Sequence, residues 1–200
     1  MRVRIKFTSI LLLTIAAVST RPVLAQSAPP GQPLQRADLA LDYSYLRSNA
    51  PPGGCGCFNL NGGSATFAWT PASGDTLAVV GDVTVAHAGS ITSSGYSLTL
   101  SSFTAGGRYR LCIGHSRFQP FAQVMVGAAH TSGSLTEGQS VPVNNGTTFA
   151  ANLGGGLDLR ANRRFSFRLA EADYLSTSFN NRVNNQQNNL RLSSGVVLHF

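Results

Sequence analysis

His130-Thr131-Ser132, followed by Glu137, brings together the residue types of a Ser-His-acid hydrolase: an imidazole to take a proton from a hydroxyl and a carboxylate to orient the imidazole. His130 shares parity with Val124, Val126 and Ala128, so on a strand it points the same way as those apolar side chains. Histidine, serine and threonine are also common where a strand passes into a loop. Gly133 and Ser134 suggest that the loop has begun there, and a nucleophile on a loop is poorly preorganised. Cys55-Gly56-Cys57 is a second reactive spacing. It reads as a redox or metal pair, or else as a loop staple or free thiols; a bond between the two closes a strained loop, and no histidine lies near enough in sequence to complete a zinc set. A third set is ionic. Asp42, Asp82, Asp158, Glu171 and Asp173, with Arg108, Arg110, Arg168 and Arg191, stand inside otherwise apolar alternating segments. Charges turned into a protein interior must pair.

The elements that carry these residues begin after an export signal. Arg2, Arg4 and Lys6 precede an apolar run from Ile10 to Val18, and Val23-Leu24-Ala25 offers a small-residue cleavage site before Gln26, so residues 1 to 25 read as a signal peptide. The run is too short for a membrane-spanning helix. Residues 26 to 36 read as a Pro-rich periplasmic tail. The full chain has 200 residues and a formal net charge of +7; removing Arg2, Arg4, Lys6 and Arg21 leaves 11 basic residues, all arginine, against 8 acidic ones, a net charge of +3. The remaining arginines are dispersed, which sets nucleic acid aside as a partner. No helix-period stretch of useful length appears, and Gly, Ser, Thr, Asn and β-branched residues dominate.

Period-two alternation instead predicts eight strands, near 37–47, 64–70, 76–87, 96–111, 118–130, 148–160, 165–176 and from about 190 to the end. In the last, Leu190, Leu192, Val196, Leu198 and Phe200 share one face, with Arg191, Ser193, Gly195 and His199 on the other. The links near 71–75, 112–117 and 161–164 are short. Those near 48–63, 88–95, 131–147 and 177–189 are longer and rich in Gly, Ser and Asn, the alternation expected of short periplasmic turns and long extracellular loops. Cys112 then lies in a turn, across an apolar band about 25 Å tall from Cys55 and Cys57, too far to bond them. Asn145-Gly146-Thr147 matches a glycosylation sequon and reads as turn chemistry. Arg168 and Glu171 have opposite parity, so a β-bulge near Leu169-Ala170 is needed to turn Arg168, Glu171 and Asp173 all inward. The aromatics fit two girdles, with Trp69, Tyr109 and Phe200 near the periplasmic side and Tyr45, Phe149 and Tyr174 nearer the outer side.

PFAQVMVG (120–127), NLGGGLDLR (152–160) and the closing RLSSGVVLHF (191–200) resemble strands of the eight-stranded OmpA-like and opacity-type outer-membrane β-barrels, over nearly all of residues 37–200. The resemblance implies an all-β fold, an eight-stranded antiparallel up-and-down transmembrane barrel, in the outer membrane. It implies Phe200 as a carboxy-terminal assembly signal for the barrel-assembly machinery, contact with outer-membrane lipid and lipopolysaccharide, glycan or protein ligands at the loops, a monomer, and no catalytic residues or cofactor. The chain stops at the barrel, so the cell-wall-binding domain of some members is not expected. His130-x-Ser132 is similar to the arrangement in outer-membrane lipid A deacylases, which makes a hydrolase one alternative; a narrow porin-like channel is the other. A barrel of eight strands is filled by its own side chains. The charge set Asp42, Asp82, Arg108, Arg110, Asp158, Arg168, Glu171, Asp173 and Arg191 is therefore expected as a lumen network that opposes a wide pore.

Overall fold

The computed structural model describes residues 37–48, 57–71, 76–89, 97–111, 116–133, 146–179 and 186–200. Eight strands run in chain order: β1 (Ala37–Ser48), β2 (Phe58–Trp69), β3 (Leu77–Ala88), β4 (Leu98–Arg110), β5 (Phe118–Gly133), β6 (Gly146–Arg160), β7 (Phe165–Thr177) and β8 (Gln187–His199). Each pairs antiparallel with its neighbour, and β1 pairs with β8 to close the barrel. Closure leaves no strand edge with unpaired amides, the condition for β-structure in lipid. A strand of this length, tilted by about 40°, rises roughly 30 Å, enough to cross an apolar band of about 25 Å.

Alternation decides the two faces. Leu41, Val79, Phe103, Val124, Leu153 and Phe167 point outward and are each half-exposed or more, Leu153 reaching 63%. Apolar side chains in a contiguous outward band are the signature of a lipid-facing surface rather than of a water-facing one. Trp69 lies opposite Ala37, and Tyr109 opposite Leu77, beside the short-turn end. Phe200 is exposed at the same end, where its backbone amide donates to Ala37.

Boundaries of β2, β5, β6 and β8 differ from those predicted. β2 starts at Phe58, not Ser64, because Asn59, Asn61, Gly62 and Gly63, which read as loop residues, are held in the ladder opposite β1. β5 runs on past His130 to Gly133 and β6 begins at Gly146, so Ser132 is a strand residue rather than a loop residue. β8 starts at Gln187, which brings Asn188 and Asn189 into the sheet. In β7 the register shifts between Arg168 and Glu171 against β8, and the pairing with β6 passes from Asp158 opposite Arg168 to Leu157 opposite Ala170. Leu169 and Ala170 form the extra step, and both are exposed. The bulge restores the inward parity of Glu171 and Asp173.

The interior departs from the simple expectation that the inward face is polar. At the long-loop end Leu46, Leu60, Leu98, Leu100, Leu175 and Phe179 are buried against one another. A smaller apolar group of Ala68, Ala78, Val80 and Met125 lies inside β2, β3 and β5. Residues 1–36, including the predicted signal and tail, lie outside the described residues, as do Cys55, Cys112, Glu137, Asn145 and the segment 180–185.

Candidate functional site

The lumen contains the densest chemistry. Arg168, on β7 just before the bulge, points into the barrel with 1% of its surface exposed. Its Nη1 lies 3.0 Å from Asp42 Oδ2 and 2.7 Å from Glu171 Oε2, while its Nε donates to Asp158 Oδ1 at 3.0 Å. Arg191, on β8, reaches Asp82 Oδ1 at 2.7 Å, Glu171 Oε1 at 3.1 Å and Asp173 Oδ2 at 2.5 Å. Glu171 thereby joins the two guanidinium groups. Five donors in a planar fork suit arginine, rather than lysine, to hold several carboxylates at once. Asp82 also accepts from the hydroxyls of Thr66 and Thr84, both at 2.8 Å.

Close backbone approach makes room for these groups. A Cβ on Gly195 would lie 2.4 Å from Asp42 Oδ1, and one on Gly154 would lie 1.9 Å from Asp173 Oδ1. A side chain at either position would also press on the neighbouring strand's backbone, at Leu41 or Ala172, so it would shift a carboxylate of the cluster, the strand beside it, or both.

Two predicted members occupy other places. Arg108 is buried, yet its side-chain partner is neutral: its Nε and Nη2 donate to Gln123 Oε1 at 2.9 and 2.6 Å. Gln123 Nε2 in turn donates to Glu171 Oε1 and Asp173 Oδ1, both at 3.1 Å, so Arg108 joins the carboxylates only through an amide. The Phe121 ring lies between two cations, 4.2 Å from Arg108 Cζ and 4.9 Å from Arg168 Cζ. Arg110 sits at the short-turn mouth and pairs with Asp38. Asp38 also meets His199 Nδ1 at 2.6 Å, and His199 Nε2 meets Ser166 Oγ at 2.7 Å.

Asp38, His199, Gln123, Phe121, Thr66 and Thr84 were not among the predicted site residues. Inward parity was the available signal for Gln123, a lone polar side chain between Phe121 and Met125 on the inward face of β5. Nothing local points to the Asp38 pairings, one with His199 across the closing seam, 161 positions away, and one with Arg110 on β4.

Above the ionic layer the filling changes. Ser44 Oγ contacts Ser64 and Ser193 Oγ, each at 2.9 Å, and beyond it Leu46 and Leu60, both 0% exposed, begin the apolar layer. Phe179 closes that layer. Its backbone amide donates to Gln187 Oε1 at 2.8 Å, and Gln187 Nε2 donates back to the Phe179 carbonyl at 3.0 Å. One glutamine thus satisfies both polar groups of the residue that carries the buried ring.

On the outer surface, the His130 and Ser132 side chains share the outward face of β5, where a two-residue step separates them by about 6.6 Å along the strand. His130 Nδ1 meets Thr147 Oγ1 at 2.9 Å. Among the described residues no acidic side chain is bonded to His130, and no group of histidine, cysteine and acidic residues is arranged to hold a metal ion. Cys57 is exposed beside the start of β2.

Neither a family model nor a curated protein sequence matches the chain. Solved structures do. Neisserial surface protein A aligns at a TM-score of 0.60 and 16% identity, covering 82% of this chain and 97% of that one. Ail, the attachment invasion locus protein of Yersinia pestis, aligns at 0.53 and 15% identity over 82% and 99%. The outer membrane protein OprG from Pseudomonas aeruginosa aligns at 0.52 and 13% identity over 82% and 96%. Closed antiparallel pairing of β1 through β8, an apolar outward band and agreement over almost the whole of those chains make this fold that of an eight-stranded outer-membrane-type transmembrane β-barrel.

Proposed function

We propose that the protein is a sealed barrel of the outer membrane that carries loops at the cell surface and acts through what those loops touch, not by passing solutes. The filled lumen supports this reading: Arg168 and Arg191 are tied to carboxylates from β1, β3, β6 and β7, and a layer of leucines and Phe179 stands above them. Water and ions crossing such an interior must break charge-assisted bonds and enter an apolar layer. On this reading residues 1 to 25 are removed on export, residues 26 to 36 lie in the periplasm, and Phe200 ends the strand recognised during barrel assembly.

The chemistry of the loops points toward polar surfaces. Residues 178–189 are rich in Asn and Gln, with Arg182 as their one charge, a composition suited to hydrogen bonding with glycans or polar protein surfaces. Ail has been crystallised with the heparin analogue sucrose octasulfate, so an eight-stranded barrel of this shape can present a saccharide site. In planar bilayers the purified protein should give no steady conductance, and bacteria displaying it should bind glycan-coated or host-protein surfaces more than bacteria displaying a version with its four long connections shortened. Large steady channels, or binding indifferent to those connections, would refute this role.

A hydrolase remains the second reading because β5 continues to Gly133 and gives His130 and Ser132 a common outward face. The bond from His130 to Thr147, in place of a carboxylate, favours a structural use of the imidazole. Mass spectrometry of lipid A from cells overproducing the protein should show an unchanged acyl pattern. Loss of a chain, abolished by Ser132→Ala, would establish the hydrolase instead.

A further inference from the structure

Among the described residues, exposed charge is distributed unequally between the two rims. At the short-turn end Arg117, Arg163 and Arg164 are exposed and Arg160 is half-buried, while Asp38 and Asp158, the acidic residues described there, are buried inside the barrel. At the long-loop end Arg47 is the one arginine, lysine or acidic residue among the described residues. Backbone hydrogen bonds run through Arg117, Arg160 and Arg164. Arg160 N donates to the Arg117 carbonyl at 2.8 Å, joining two neighbouring turns, and Asn162 Oδ1 accepts from the amides of Arg164 and Phe165 at 2.8 and 2.9 Å. The Arg164 carbonyl accepts from His199 N at 2.9 Å, which extends the group to β8.

Immediately lipidward of these cations stand exposed aromatics: Phe118, Phe165 and Phe167. Aromatic rings mark the depth of the membrane interface, and cations just beyond them lie at the level of phosphates. We infer that this arginine rim binds the anionic phosphate headgroups of phospholipids in the leaflet around the short turns, an inference that rests on the transmembrane reading above. Charge complementarity selects the occupant: the rim is cationic, backed by rings that prefer the hydrocarbon boundary, whereas an acidic soluble protein would leave those rings to be covered separately.

With Trp69, the single tryptophan of the chain, replaced by Phe, Phe165→Trp places one outward tryptophan beside Arg164, where it reports on the lipids around the arginines. In vesicles of phosphatidylcholine with one-third phosphatidylglycerol, the brominated glycerol lipid should quench this tryptophan more strongly than the brominated choline lipid at equal mole fraction. The excess should vanish in molar salt and in R117Q/R163Q/R164Q, and survive in R47Q. Equal quenching by both lipids in the folded W69F/F165W protein with its arginines intact overturns the headgroup site and leaves the barrel reading intact. Absence of quenching by either lipid, with the protein in the aqueous fraction, overturns the membrane reading itself.

Discussion

In the turn-side half of the lumen two arginines hold five carboxylates, whereas in the loop-side half leucines and Phe179 fill the interior, with no charged side chain among the described residues there. The halves are stabilised differently. An ionic layer gains from direction: each guanidinium must sit where its partners are, and removing one member strands the others without water. An apolar layer gains from volume, tolerates changes of shape, and fails mainly by leaving a cavity. The barrel thus appoints one region to fix geometry and another to exclude water.

The largest effect should come from the ionic half. Arg168→Ala leaves Asp42, Asp158 and Glu171 without their shared cation and should cost about 3 to 5 kcal/mol, measured as the shift in urea unfolding of vesicle-inserted protein. A near-neutral result would mean that this half is hydrated and the contrast false. In the apolar half, Leu60→Ala should cost about 2 to 3 kcal/mol, toward the low end for a buried leucine because Phe179 and Leu46 can settle into the space. Leu60→Met, nearly conserving volume, should cost less than about 1.5 kcal/mol. If both leucine variants were equally damaging, the layer would be specifying geometry as strictly as the charges do.

A smaller effect sharpens the comparison at a single atom. Gly195→Ala should cost about 1 to 3 kcal/mol, because its methyl must displace the Asp42 carboxylate or the β1 backbone. Gly107→Ala, whose methyl meets nothing within 4 Å on the outer face, should shift stability by less than about 0.5 kcal/mol. Equal shifts in the same unfolding assay would show that the charged layer yields easily.

The faces of the strands were legible because parity is a local property: Leu153 and Asn152, adjacent in sequence, go to opposite sides whatever the rest of the chain does. The bulge in β7 was legible for the same reason, since Arg168 and Glu171 cannot both turn inward without it. What the sequence hid is what depends on height within the barrel. Leu46 and Asp42 have the same parity on β1, and hydropathy alone does not say that one lies in an apolar layer and the other in an ionic one. The start of β2 was hidden because Asn61, Gly62 and Gly63 have turn chemistry, overridden here by pairing with β1 and β3. Arg108 was expected among the ion pairs because charge was visible; that its partner is the amide of Gln123 depends on a contact between strands.

The salt bridges from Arg168 to Asp42 and from Arg191 to Asp82 join residues 126 and 109 positions apart, tying the last two strands to the first and third. A chain carrying only β1 to β6 therefore exposes Asp42 and Asp82 on a curved sheet without either arginine, and charge repulsion there opposes premature curling. Arrival of β7 and β8 supplies both cations in the same event that supplies the missing hydrogen-bonded seam. Closure of the wall and neutralisation of its contents become one step, so a barrel lacking its last hairpin should persist as an open, water-accessible sheet rather than shrink into a smaller closed one.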